Sequence, residues 1–186
     1  MESKFSEEIL KKGMGVKDAL LYGQIAASDQ NYFEDVFQYC IQVEDKTADK
    51  AAWIIYKAAM ECECAFIQRY QDPLMMALIH KPLSPAVKRE LLKVLLQLKP
   101  EEHELFGLLF DRAKEWMFEI DVEAAVRYAA LNVIELGGKK FPEMIPECWE
   151  IIQEAKELVE GPWRRRCKKV QEDLNRRYLK WSNKKG

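Results

Sequence analysis

A chain of 186 residues, 48% apolar and 32% charged, can bury roughly 70% of its unfolded surface, which excludes a disordered or low-complexity polymer. The net charge of −2 conceals an asymmetry: residues 161–186 hold ten Lys/Arg against Glu172 and Asp173, while residues 1–160 hold 19 basic and 29 acidic residues. No apolar run approaches the ~18 residues that span a bilayer. Met1-Glu2-Ser3-Lys4 leads into acids rather than a targeting signal, and the five cysteines are irregularly spaced. These features predict a cytoplasmic protein with reduced thiols, no membrane contact, no cofactor and no metal.

Taken in chain order, residues 6–11 read as a short helical start, stopped by Gly13 and Gly15. Residues 16–27 read as a helix with Ala19, Leu20 and Ile25 inward, and Ser28-Asp29 caps the next, over 31–42. Asp45-Lys46-Thr47 turns into a helix that ends near Cys62. A helix is expected over 64–80, with Pro73 starting its regular part or kinking it. In Lys81-Pro82-Leu83-Ser84-Pro85, Ser84 caps and Pro85 takes the first helical position. That helix is expected to reach Leu98 and to end at Pro100. Glu101-Glu102-His103-Glu104 opens the next, with acids at the positive end of the helix dipole, and it runs to about Phe118. Asp121 caps a helix through Glu135, with Gly137-Gly138 as its stop. Pro142 and Pro146 shape the approach to a helix over 147–159. Gly161-Pro162 turns into a final basic helix that ends near Trp181.

Four windows on these helices align: 51–58, 87–94, 126–133 and 163–170, spaced by 36, 39 and 37 residues. Recurrence at that length with two helices per unit is the signature of an α-solenoid. The expected units are 28–62, 64–98, 102–136 and 139–181, after N-terminal capping helices over 1–27, all within one domain over 1–186. A stack needs such a cap because its terminal apolar face has no neighbour. Val126, Ala130, Leu91, Leu95 and Ile55 should be buried between units.

The third unit resembles a HEAT repeat, in which an Asp at the turn is followed six residues later by an Arg, after a Val. Asp121, Val126 and Arg127 match. The second unit has Lys88 but Pro82 at the Asp position, the fourth has Arg164 but Leu158, and the first has Ala52. As a whole the chain is similar to small bacterial HEAT-like proteins without an assigned activity. The resemblance implies an all-α fold, an α-α superhelix of about four helix pairs, with second helices lining a concave surface. It also implies that Arg127, and Arg164 with it, are ladder partners between repeats.

No chemical motif stands out. Cys62-Glu63-Cys64 lacks the further soft ligands of a tetrahedral zinc site. His80 and His103 have no nucleophile beside them, and no phosphate-binding, dinucleotide-binding, zincin or nucleophile-elbow pattern is present. No catalytic residue is assigned. The second helices share a polar face instead. Aligned positions place Trp53 and Lys57, Arg89 and Lys93, Tyr128 and Asn132, and Arg165 and Lys169 on it. Cations interleaved with aromatics suit an acidic protein segment or a nucleic acid. Glu150, Glu154 and Glu157 are placed to pair with part of the terminal basic cluster. Trp116 and Trp149 read as core. The function expected is a monomeric, non-catalytic interaction module that binds an acidic partner on its concave face. The alternative is a nucleic-acid-binding protein related to HEAT-like alkylpurine DNA glycosylases, with Trp53, Tyr128 and Arg165 as loose counterparts and Glu90 or Glu61 as the carboxylate.

Overall fold

The computed structural model describes residues 5, 7–43, 45–62, 64–119 and 122–184. Among them every regular element is helical, in a helical repeat-like arrangement: ten α-helices and three 3-10 turns, without a strand. The chain forms two compact units, residues 1–100 and 101–186.

The first unit holds α1 (Glu7–Lys11), α2 (Val16–Ser28), α3 (Gln30–Gln42), α4 (Lys46–Glu61), α5 (Gln71–His80) and α6 (Pro85–Leu95). Side-chain caps fix three starts. Asp29 accepts from the backbone N–H of Asn31 at 3.0 Å and Tyr32 at 3.2 Å. Asp45 accepts from Thr47 at 2.6 Å, and Ser84 accepts from Val87 at 3.2 Å with Pro85 behind it. α4 is the central helix and packs against α1, α2, α3 and α6. Lys50 on it donates to the carbonyls of Leu10 (2.5 Å) and Lys12 (2.8 Å), which closes the end of α1. α2 meets α4 through Ala19, Gly23 and Ala26, all buried, whereas the expected Leu20 and Ile25 are only half-buried. Small residues let the two backbones approach, and larger ones are displaced to the flanks.

Two further expectations fail in this unit. Residues 64–66 are not helical; a 3-10 turn, Ile67–Tyr70, precedes α5. There Phe66 and Tyr70 lodge against Phe33, with ring centroids 5.4 and 4.5 Å away. Docking those rings on α3 takes precedence over continuing a helix, and Pro73 falls in the first turn of α5, where its missing N–H costs nothing. α6 ends at Leu95 rather than Leu98. Lys99 sits at φ 52°, and the residue before a proline is disfavoured in the helical region, so the chain turns ahead of Pro100.

The second unit holds α7 (Phe106–Phe118), α8 (Ala124–Lys140), α9 (Ile145–Leu158) and α10 (Pro162–Ser182). α8 packs against α7, α9 and α10. Arg127, buried, donates from Nε to the Met117 carbonyl at 3.1 Å and from Nη2 to that of Glu119 at 2.7 Å. It thereby satisfies the Met117 carbonyl in the last turn of α7 and shares that of Glu119 with the Val122 N–H. Asp121, the expected cap of α8, lies outside the described residues.

Three further expectations are corrected here. Residues 101–105 do not open α7. Residues 100–102 form a 3-10 turn, and His103 Nδ1 accepts from the Leu105 N–H at 3.1 Å, a local side-chain bond that competes with the helix. Gly137 and Gly138 do not stop α8, which continues to Lys140. They are buried contact points: a Cβ on Gly137 would lie 2.8 Å from the Phe110 ring, and one on Gly138 would lie 2.9 Å from Leu174 and 3.3 Å from the Cys148 sulfur. Trp149 is 42% exposed, whereas Trp116 is fully buried. The indole buried beside α9 is Trp163, whose N–H donates to the Ala155 carbonyl at 2.8 Å. Val126, Ala130, Leu91, Leu95 and Ile55 are fully buried.

Candidate partner-binding faces

In the first unit α4 and α6 bring Trp53, Lys57, Arg89 and Lys93 onto neighbouring helices. Trp53 and Arg89 line a shallow recess with Asp49, Lys50 and Glu90. The cations are answered by carboxylates. Buried Glu90 accepts from Arg89 Nε at 2.8 Å and from Lys93 at 3.2 Å. Lys57, itself buried beneath α2, reaches Glu61 at 2.5 Å. The Lys57 and Lys93 ammonium groups also lie 5.7 and 4.9 Å from the centroid of the Tyr56 ring. Tyr56 was missed from sequence because the alignment followed positions 53 and 57. This is a charge-balanced face, and Glu90 and Glu61, the carboxylates of the glycosylase-like alternative, are engaged by its own cations.

The second unit sorts its cations differently. Along the seam between α8 and α10, Tyr128 packs edge-on against Trp163, with centroids 5.2 Å apart. Asn132 accepts from Arg166 at 3.0 Å. Buried Glu135 accepts from Arg166 at 2.6 Å and from Lys139 at 2.5 Å. Arg176 bonds to Asp173; that bond holds the Asp173 carboxyl below the usual carboxylate range, and Lys169 and Lys139 reinforce the shift. Arg164 pairs with Glu157 on α9 at 2.9 Å. Of the three expected acidic partners on α9, Glu157 alone pairs with α10 among the described residues. Glu135 on α8 takes the other role. It follows Tyr128 by seven residues, a helical repeat of the same face, and that spacing was the available signal.

Arg165 and Lys169 are exposed, and among the described residues their side chains form no ion pair or hydrogen bond; the same holds for Lys168 and Lys180. The buried stripe of α10 runs through Trp163, Cys167, Val170, Gln171 and Leu174. At 3.6 residues per turn, Arg165, Lys169, Arg176 and Lys180 fall on one strip away from it. Over 15 residues that strip is about 22 Å long. α9 adds the exposed Trp149 to the surface of this unit.

The cysteines are free thiols. Burial pushes Cys148 up to about 12 and Cys167 up to about 11, the latter offset in part by Lys156 and Arg166. Among the described residues no three His, Cys, Asp or Glu side chains converge on a point that could hold a metal, and no helix is long and apolar enough to cross a membrane.

A family model described as HEAT repeat domain matches residues 6–161. No curated protein and no solved structure matches the chain. The family match ends just before α10, so the basic helix lies outside it.

Proposed function

The chain belongs to the HEAT repeat family, and on that premise we propose that it is a non-catalytic protein-interaction module whose α10 strip takes an acidic protein segment. Family membership alone does not fix a function. What supports this reading is the division of cations on α10. Arg164, Arg166 and Arg176 are consumed by Glu157, Glu135 and Asp173, while Arg165, Lys168, Lys169 and Lys180 are left to solvent. Like charges this dense on one helix repel one another, so an acidic partner would relieve a standing cost. The face around Trp53, Lys57, Arg89 and Lys93 is a weaker candidate because its cations already have carboxylate partners. A catalytic or nucleic-acid reading has no comparable support: Glu90 and Glu61 are both held in ion pairs, and the first 160 residues carry a large excess of acid.

The test is binding of the peptide (Gly-Glu)4 and of a single-stranded oligonucleotide, each at low and moderate salt, to wild type and to the double variant Arg165→Glu/Lys169→Glu. Wild type should bind the acidic peptide at low salt, and the variant should lose about tenfold or more in affinity. Equal binding by the variant refutes the assignment. Preference for the oligonucleotide, with the steep salt slope of counterion release, would move the protein to the nucleic-acid reading.

A further inference from the structure

The second unit carries a second recess, of opposite character to α10 and distant from it in sequence. A cavity of about 410 Å³ opens where the turn at 101–105, the start of α7 and the turn before α9 come together. Its floor is aromatic: Phe106, Phe110 and Phe141 line it, with Phe106 6.4 Å from Phe110 and 6.2 Å from Phe141 between ring centroids. Phe141 is half-buried, so its ring is partly open to the recess.

The rim is acidic. Glu101, Glu104, Asp111 and Glu143 line the recess, and among the described residues none of the four has a cation within ion-pair distance. Glu147, also on the rim, approaches Lys114 only to 4.0 Å. One carboxylate oxygen of Glu101 is shut away from solvent and has no hydrogen-bond partner among the described residues. A buried, unpaired acceptor of that kind is costly and is normally met by a donor.

The two features together select the occupant. A bare metal ion needs carboxylates that converge on one point, and these do not. A purely apolar ligand would leave the rim uncompensated. An alkyl stem or flat guanidinium that ends in positive charge matches both, since aromatic faces attract cations and carboxylates accept their hydrogen bonds. We propose that this recess seats a lysine or arginine side chain from a basic segment of a partner protein. No residue of α10 lines it, so the module would read two charges of opposite sign on one unit. Gly107 adds a third observation: it lines the recess, is exposed, and a Cβ built on it meets nothing within 4 Å. A side chain there would project into the open space without disturbing the core.

That position supplies the decisive variant. The probes are (Gly-Arg)4 and the neutral (Gly-Gln)4, titrated into the full chain at low salt and followed by backbone amide shifts. Wild type should bind the basic peptide and not the neutral one, with shifts concentrated at residues 101–111 and 141–147. Glu104→Lys/Glu143→Lys should weaken binding about tenfold. Gly107→Leu, which keeps every carboxylate but fills the recess, should weaken it by a similar factor. Arg165→Glu/Lys169→Glu should bind (Gly-Arg)4 no more weakly than wild type, so failure of the α10 reading leaves this one standing. The proposal falls if Gly107→Leu binds as wild type does, which would mean diffuse surface attraction. It falls equally if both peptides bind alike, or if the chain dimerises in sedimentation, loses that dimer in Glu104→Lys/Glu143→Lys and binds no peptide, which would make a second copy the occupant.

Discussion

Gly23 offers the sharpest test of how this fold is packed. A Cβ placed on it would lie 2.6 Å from the Lys57 Cβ and 3.1 Å from the Ala58 backbone nitrogen. Neither atom can swing away, because both are fixed to the backbone of α4. To restore ordinary contact, α2 must move off α4 by about 1 Å, and interiors packed to crystal density do not absorb such a shift freely. Replacing a mid-helix glycine with alanine gains about 1 kcal/mol of helix propensity. Overpacking costs about 1–3 kcal/mol, and a forced backbone shift belongs at the upper end. Gly23→Ala should therefore lose about 1–2 kcal/mol net, a drop in Tm of about 2–8 °C for a chain of this size. Gly137→Ala meets the Phe110 ring at 2.8 Å, a buried side chain with limited room to turn, and should lose about 1 kcal/mol. Gly107→Ala meets nothing and should gain a few tenths to about 1 kcal/mol, which makes it the internal standard. Thermal and guanidinium unfolding, followed by circular dichroism, measure all three. If Gly23→Ala is as stable as wild type, the close approach of α2 and α4 is wrong, and with it the account of why Leu20 and Ile25 are displaced.

Arg127→Ala should cost about 2–4 kcal/mol in urea unfolding, because it removes two bonds from a charged donor, one of them to the buried Met117 carbonyl; Arg127→Lys should recover less than half, since an ammonium lacks the fork that reaches both Met117 and Glu119. Asp45 is held below the usual carboxylate range by the Thr47 side chain first and the Thr47 N–H second. A depressed folded pKa stabilises above the unfolded value of about 3.9 and loses that contribution as pH falls through the folded value. The stability gap between wild type and Asp45→Asn should therefore be full at pH 6 and close on acidification; a gap independent of pH refutes the assignment. Among the thiols, Cys62 is half-buried and the other four are buried, so a disulfide reagent at neutral pH should label one equivalent quickly and four only on unfolding. More than one rapid equivalent would contradict the burial of Cys40, Cys64, Cys148 or Cys167.

What the sequence made legible was periodicity and capping. Asp29 and Ser84 precede apolar stripes at helical spacing, and each caps the helix it was expected to cap, while Asp45, expected only to turn the chain into α4, caps it as well. The four aligned windows fall on α4, α6, α8 and α10. Two of the errors are local, the His103 bond ahead of α7 and the turn at Lys99 before Pro100; others arise because the residue misread is governed by a contact made across the fold. Gly137-Gly138 looks like a stop because glycine is costly in a helix, yet here the missing side chains admit Phe110 and Leu174. Lys57 looks like a surface cation, and the close approach of Gly23 on α2 buries it. The basic end was legible as charge but not as a division of labour. Spacing on α10 shows which residues share a face, while only the position of Glu135 on α8 decides that Arg166 is spent internally and Arg165 is not. The acidic recess lay further out of reach. Its rim comes from residues 101–111 and 143–147, and no window short enough to read as a motif contains both. Their meeting depends on α7 and α9 packing together, a contact that periodicity can permit but does not specify. In a helical repeat, then, the helices are written locally, and the surfaces that could select a partner are written in pairs of helices.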